Sequence, residues 1–334
     1  MKILLWHVHG SWTTAFVQGE HEYLVPVLRG RPADGRGRAR TWDWPASVRE
    51  LGLRELRRAF ETDGVDVVLL QRPHEARLLR EWTGRRAGRD VPAVYVEHDA
   101  PGGPAAATRH PLVDVDVAAD GRIPIVHVTQ FNALMWDTGP VRTVVIEHGI
   151  PDPGYRYTGE RERIAAVVNE PVRRWRAAGT DVLLHVAHEI PTEVYGMGTS
   201  HLAGHLCPLS PTVATAIAHL YNLPQAELHD QLAGARAYLH PYRWTSLGLA
   251  LLEAMALGLP VLALPVTAAY AAVPPEAGVL SADPDELTAV ARRWLADPAE
   301  ATAYGKAARD HVLAHYPLDR FLDRWTRLLT QEVS

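Results

Sequence analysis

The sequence predicts an α/β protein made of two Rossmann-like domains that face each other across a cleft. Three features predict it: a length of 334 residues, short β-rich apolar runs alternating with helical patterns, and a break in that alternation over residues 147–162. A chain this long exceeds what one hydrophobic core usually organises, so two domains of ordinary size are expected. Alternating strand and helix signatures mark parallel sheets covered by crossover helices. The hydrophobic share of 47% and the charged share of 22% are those of a soluble globular protein.

In the first half the strand candidates are Ile3–Val8, Tyr23–Leu28, Val65–Leu70, Ala93–Glu97, Ile125–Thr129 and Thr143–Glu147. Helices fit between them, notably Ser47–Phe60 and His74–Glu81, and "RGRPADGRGRAR" (29–40) reads as a mobile surface loop. Pro and Gly in "EHGIPDPGYRYTGERE" mark a linker, which sets the domains at 1–150 and 151–316. The second alternation puts strands at Ile164–Val168, Val182–Val186, Val194–Tyr195, Ala237–Leu239, Val261–Leu264 and Gly278–Leu280. Asp283 and Glu286 have capping-box spacing for the helix that follows. Two helices close the chain, before and after Tyr316-Pro317, the last being 317–334.

A net charge of -5 argues against a general nucleic-acid binder, whose domain would be basic. The single cysteine, Cys207, excludes an intrachain disulfide framework and any CxxC motif. The start "MKILLWHVHG" lacks the long apolar core of a signal peptide and reads as the first strand. No run reaches the length of a membrane span, so a cytoplasmic protein is expected. His7 with His9, and His201 with His205, have metal-ligand spacing but no third ligand, and no bound metal is expected. The arginine-rich "SVRELGLRELRRAF" admits a membrane-docking helix; a solvated face with Glu50 and Glu55 in local pairs is the preferred reading.

One stretch concentrates the chemistry. "TSLGLALLEAMALGLPV" (245–261) is apolar on every side of a helix except for Glu253. The strand before it ends at "HPYRWTSLG", and the helix is expected to start near Ser246 or Leu247. Ligands of open α/β sheets sit beyond the carboxyl ends of strands, and helix N-termini there offer free N–H groups to anions. Gly248 lets the backbone approach a phosphate or sugar. Glu253 serves either ligand hydroxyls or a buried salt bridge to an arginine, and the residues alone leave both open.

"HPYRWTSLGLALLEAMALGLPVLAL" is similar to the signature of family 4 glycosyltransferases, which have the GT-B fold. "LLEAMALGLPV" carries most of the likeness, which covers most of the second domain and the first only in architecture. The resemblance implies that Glu253 binds the ribose of a nucleoside-diphosphate sugar, and that the backbone of Leu247, Gly248 and Leu249, with Ser246 beside it, meets the diphosphate or sugar. Thr245 stands where the family has the first glutamate of a pair, so one donor-sugar contact changes from carboxylate to hydroxyl. The family's Arg and Lys for the diphosphate have no lysine here; Arg173, Arg174 and Arg176 are offered instead, with Arg173 and Arg174 preferred.

In the first domain His98 follows a strand at the expected mouth of the cleft, with Asp99 as companion and Arg109 and His110 as weaker candidates. The resemblance implies a histidine here that hydrogen-bonds the donor sugar near the reacting carbon. Gly10 and Ser11, after the first strand, match the position of a ligand-facing loop. The resemblance further implies a retaining transferase, a nucleotide sugar as co-substrate, no other cofactor, and a last helix packed on the first domain. The acceptor is a small molecule, a glycan or a lipid. The alternatives are another GT-B nucleotide-sugar enzyme, such as an epimerase, or a catalytically silent GT-B binding protein.

Overall fold

Thirteen parallel strands among the described residues form two sheets. A computed structural model describes residues 1–333 except 105, 115–121 and 207–216, so Cys207 lies outside the described residues. The chain divides into two units, Met1–Gly149 with Leu318–Ser334, and Ile150–Pro317.

The first unit holds β1 (Lys2–Leu5), β2 (Glu22–Pro26), β3 (Val48–Leu51), β4 (Val67–Leu70), β5 (Ala93–Glu97), β6 (Ile125–His127) and β7 (Thr143–Val145). Their order is β3-β2-β1-β4-β5-β6-β7. The second holds β8 (Arg161–Val167), β9 (Thr192–Tyr195), β10 (Ile217–Tyr221), β11 (Ala235–His240), β12 (Val261–Ala263) and β13 (Gly278–Leu280), in the order β10-β9-β8-β11-β12-β13. Counted within its own unit, each sheet runs 3-2-1-4-5-6, and the first adds a seventh strand at the end. The chain winds outward on one side, returns to the centre and winds outward on the other. That reversal leaves a crevice beyond the carboxyl ends of β1 and β4, and another beyond β8 and β11.

The structure departs from the expected elements in particular places. Ser47–Phe60 is not one helix: Val48–Leu51 pairs with β2 as an edge strand, and Gly52 separates it from the helix Leu53–Arg58. Cross-strand pairing overrides the local helical pattern there. Val182–Val186 is helical, inside Thr180–Ala187, because a short buried apolar run suits either structure. The strand Ile217–Tyr221 went unpredicted. Asp283 caps its helix by accepting from Asp285 N, but Glu286 bonds the Ser281 hydroxyl, which in turn accepts from Asp283 N. The loop 29–40 is fastened: Arg31 grips the Glu50 carboxylate with both terminal nitrogens, and Arg38 reaches the carbonyls of Trp44, Pro45 and Val48.

The helix Leu318–Val333 buries Phe321, Trp325, Leu328 and Leu329, a stripe at helical spacing. Trp325 meets Trp12 edge-on at 5.6 Å and Phe16 at 5.3 Å, so the last helix closes the first unit over the helix Gly10–Phe16. Trp325→Ala should cost about 3–5 kcal/mol of first-unit stability. Urea unfolding followed by circular dichroism measures it, and Thr330→Ala on the exposed side serves as the control expected to change little.

Candidate active site

The second sheet's crevice is bordered by the loop after β8, which carries Arg173 and Arg174, and by the loop after β11, which leads to Gly248. The helix Leu249–Leu257 starts slightly later than expected, with Gly248 as its N-cap at φ -69° and ψ 116°. A Cβ on Gly248 would lie 2.5 Å from Cε1 of His240, so the close packing of this turn on the strand end requires glycine. His240 is buried with neither ring nitrogen hydrogen-bonded, and burial lowers its pKa to about 4. Ser246 and Leu247 are buried, while Thr245 and Leu249 are partly open.

Glu253 is 6% exposed, yet among the described residues no arginine pairs with it. Its Oε1 accepts from Gln225 Nε2 at 3.2 Å, and Oε2 lies 3.4 Å from Nε2 of His229. A carboxylate only accepts, so His229 donates from Nε2. Gln225 and His229 are four apart on the helix Gln225–Gly234 and present one face. The sequence offered that spacing as a signal, but not the helix it faces. Both bonds are long, and they take up only about two of the roughly four lone-pair sites of the carboxylate.

The three arginines differ. Arg173 is 71% exposed at its side chain and paired with Glu170 at 3.4 Å. Arg176 and Arg243 both hold Asp181. Arg174 lies over the Tyr242 ring, 5.7 Å from its centroid, with Nη2 3.5 Å from the Trp244 carbonyl. Of the three, Arg174 is the one held against the loop that leads to Gly248.

In the first unit β1 stops at Leu5, so His7 and His9 belong to the loop beyond it rather than to one strand face. His7 Nδ1 lies 3.0 Å from the Gly37 carbonyl. His9 stacks on His98 with ring centroids 4.0 Å apart, and Trp12 meets His98 edge-on at 4.8 Å. His98 is buried with Nε2 unpartnered; burial, then His9 and His148, hold its pKa well below the usual value. His148 is lowered to about 3 by burial and by His9. Sequence reasoning missed His148 and Trp12, and weighed His9 only as a metal ligand, because their approach to His98 depends on sheet order.

Asp99 is exposed and held through its backbone. Its neighbours differ from expectation: Arg109 pairs with Asp114, and His110 is fully buried on Glu97. A Cβ on Gly10 would lie 2.4 Å from Cη2 of Trp42, so the close approach that Gly10 allows is that of an indole. Ser11 is half-buried beside it. Among the described residues no three His, Cys, Asp or Glu side chains form a metal-binding group. Among them, too, no helix is long and apolar enough to cross a membrane. Glu50 is bound by Arg31, and Glu55 accepts from Gly52 N at 2.8 Å, which keeps both in local pairs.

Residues 176–327 match the model of a family described as glycosyl transferase-like. No curated protein matches the sequence significantly. Among solved structures, sucrose-phosphate synthase from Thermosynechococcus elongatus superposes with a TM-score of 0.74 at 17% identity, covering 99% of this chain and 98% of that one. The chain has the GT-B glycosyltransferase fold. A glycosyltransferase from Rickettsia africae has a TM-score of 0.71 at 12% identity over 100% of this chain and 98% of that one. Anabaena HepE, solved with UDP, has a TM-score of 0.69 at 14% identity over 99% of this chain and 100% of that one. In this GT-B chain Gly10 and His98 follow strands β1 and β5, Arg174 and Gly248 follow β8 and β11, and Glu253 lies inside the helix that Gly248 caps.

Histidines held neutral by burial make the fold acid-sensitive. His148 and His240 titrate near 3 and 4 when folded, against an ordinary value of 6.5. Unfolded, they take up protons below about pH 6.5, while the folded forms do so only near 3–4, so stability falls as pH drops through that window. The melting temperature should be lower at about pH 5 than at about pH 7, and His240→Phe should reduce the difference. Equal melting at both pH values would contradict these assignments.

Proposed function

We propose that the protein is a retaining glycosyltransferase that moves a sugar from a nucleoside diphosphate to an acceptor hydroxyl. The observation that carries this is Glu253, a buried carboxylate held by two long hydrogen bonds within the helix that Gly248 opens. A structural carboxylate would be matched by short, strong donors; this one keeps acceptor capacity for the two hydroxyls of a ribose. That Anabaena HepE was solved with UDP supports a nucleotide donor.

In this reading the diphosphate meets the free amides at Leu249 and its neighbours, where the helix dipole favours an anion. Arg174 adds a permanent charge from the loop after β8. As the bond from the anomeric carbon to the diphosphate breaks, the acceptor oxygen attacks from the same face, and its proton passes to a phosphate oxygen of the leaving group. His98, neutral, donates a hydrogen bond to the donor sugar without adding charge. Preorganised dipoles and one guanidinium supply the electrostatic stabilisation. Thr245 contacts the sugar rather than the nucleotide.

Thermal shift and calorimetry with UDP, GDP, ADP and dTDP test this. Glu253→Gln should lower the affinity of whichever nucleotides bind by about 1.5–3 kcal/mol, roughly tenfold or more, with melting nearly unchanged. Early melting with normal affinity would instead make Glu253 structural. Arg174→Ala should weaken diphosphate binding, while the exposed Arg173→Ala should have little effect. Equal losses in both would refute the assignment to Arg174.

The diphosphate charge is met here by an arginine and backbone amides, so transfer should not require a bound metal. Release of nucleoside diphosphate from the donor should continue at the same rate in EDTA. Activity lost to the chelator and restored by a divalent cation would show the opposite.

A further inference from the structure

His98 makes no hydrogen bond through Nε2, so its direction depends on its backbone and on the rings of His9 and Trp12. That backbone is tied on both sides of the ring. Glu97 closes β5 with a buried carboxylate, 6% exposed, that meets two donors. Asp99 N–H reaches Oε1 at 2.7 Å, and Nε2 of His110 reaches Oε2 at 2.9 Å. The carbonyl of Glu97 accepts from Asn132 Nδ2 at 3.3 Å, and that of Asp99 accepts from Trp136 Nε1 at 2.8 Å. Asn132 and Trp136 sit in and at the end of the helix Gln130–Met135, whose N-cap Thr129 accepts from Asn132 N.

The tautomer of His110 follows from its second nitrogen. Leu112 N–H lies 3.1 Å from Nδ1, and an N–H only donates, so Nδ1 is bare and the ring proton sits on Nε2, aimed at Glu97. The ring has 0% exposure and is fixed by the edges of Tyr95 and Trp136, at 5.3 and 5.0 Å. It cannot turn to offer another pattern.

We propose that Glu97 and His110 are positioning residues that fix the aim of His98, the carboxylate being the part that no amide can replace. Two donors converge on its two oxygens. Glutamine has one acceptor oxygen and an NH2, so it satisfies one donor and sets N–H against N–H at the other. Moving the His110 proton to Nδ1 only transfers that conflict to Leu112. Aspartate keeps both oxygens but falls a methylene short. The role in turnover rests on the proposal that His98 meets the donor sugar; the role in orientation does not.

The test uses the full chain with 15N-labelled histidine and the variants Glu97→Gln, His110→Phe and His110→Gln. His110→Gln keeps a donor near the position of Nε2, whereas His110→Phe keeps the ring volume and leaves the carboxylate one donor short. Glu97→Gln and His110→Phe should shift the His98 ring resonances and leave those of His240, in the other unit, in place. His110→Gln should stay near wild type. With UDP-glucose as probe, UDP release should fall in kcat by up to about 100-fold in the first two variants, as expected for a misdirected group, with KM changed less than about twofold. His110→Gln should recover most of the rate. Unmoved His98 signals in both disruptive variants overturn the positioning pair, whatever the donor proves to be. Shifted signals with an unchanged kcat uphold the pair and overturn the role of His98 at the sugar. If Glu97→Gln does not fold, the contrast between His110→Phe and His110→Gln decides alone.

Discussion

Parallel strands covered on both faces leave chemistry only one place to go. β4 shows the constraint: Val67 to Leu70 are at most 2% exposed, so every side chain of the strand is committed to packing. Polar and titratable groups that must meet a ligand are displaced to the first residues beyond the carboxyl ends. His98 directly follows β5, His240 is the last residue of β11, and Arg174 lies past β8. The 3-2-1-4-5-6 order then opens one crevice per sheet, because loops from the two halves of the winding diverge there. Fold and site are two consequences of the same burial.

Within that frame two buried carboxylates are held in different ways, and hydrogen-bond geometry separates them. Glu97 is 6% exposed and so is Glu253. Glu97 meets donors at 2.7 and 2.9 Å, one from backbone and one from a histidine that cannot turn. Such short charge-assisted bonds offset much of the desolvation and fix geometry. Glu253 meets side chains at 3.2 and 3.4 Å, both from one neighbouring helix. A charge so loosely matched is costly in the free protein, and stronger donors from a ligand would lower that cost. Burial alone would have grouped them; bond length and donor type do not.

The sequence made much of this legible where the signal was local. Strands such as Ala93–Glu97 and Gly278–Leu280 were readable because apolar runs between turn residues have few alternatives. Val48–Leu51 and Val182–Val186 were misread because segments of four or five residues fit strand and helix alike, and pairing partners decide. Gly248 and Glu253 stood out through a contiguous motif, and His98 through its place at a strand end. The partners did not. His9 reaches His98 across most of the first unit's sequence, His110 reaches Glu97 past a loop, and Gln225 and His229 reach Glu253 from another helix. Pairwise approach of that kind is set by sheet order and crossover length, which no single segment encodes.

The buried histidines connect stability to the proposed chemistry. His98 Nε2, His148 Nδ1 and both ring nitrogens of His240 lack partners, although all three lie at or beyond carboxyl ends of strands. Buried polar atoms in native proteins are nearly always paired, and each exception destabilises the free protein. Some unpartnered atoms here, such as the indole nitrogens of Trp6 and Trp294, lie deep in the two cores, where an apolar ring is the main contribution. A histidine at a strand end carries a desolvation cost that an apolar side chain would not. Burial also keeps these rings uncharged at neutral pH, which suits the neutral hydrogen-bond donor that the proposed chemistry asks of His98. Buried imidazoles thus stand at carboxyl ends, where the strands beneath them carry apolar side chains. Local rules broken together in this way are the physical signature of a site shaped for a ligand rather than for the free protein.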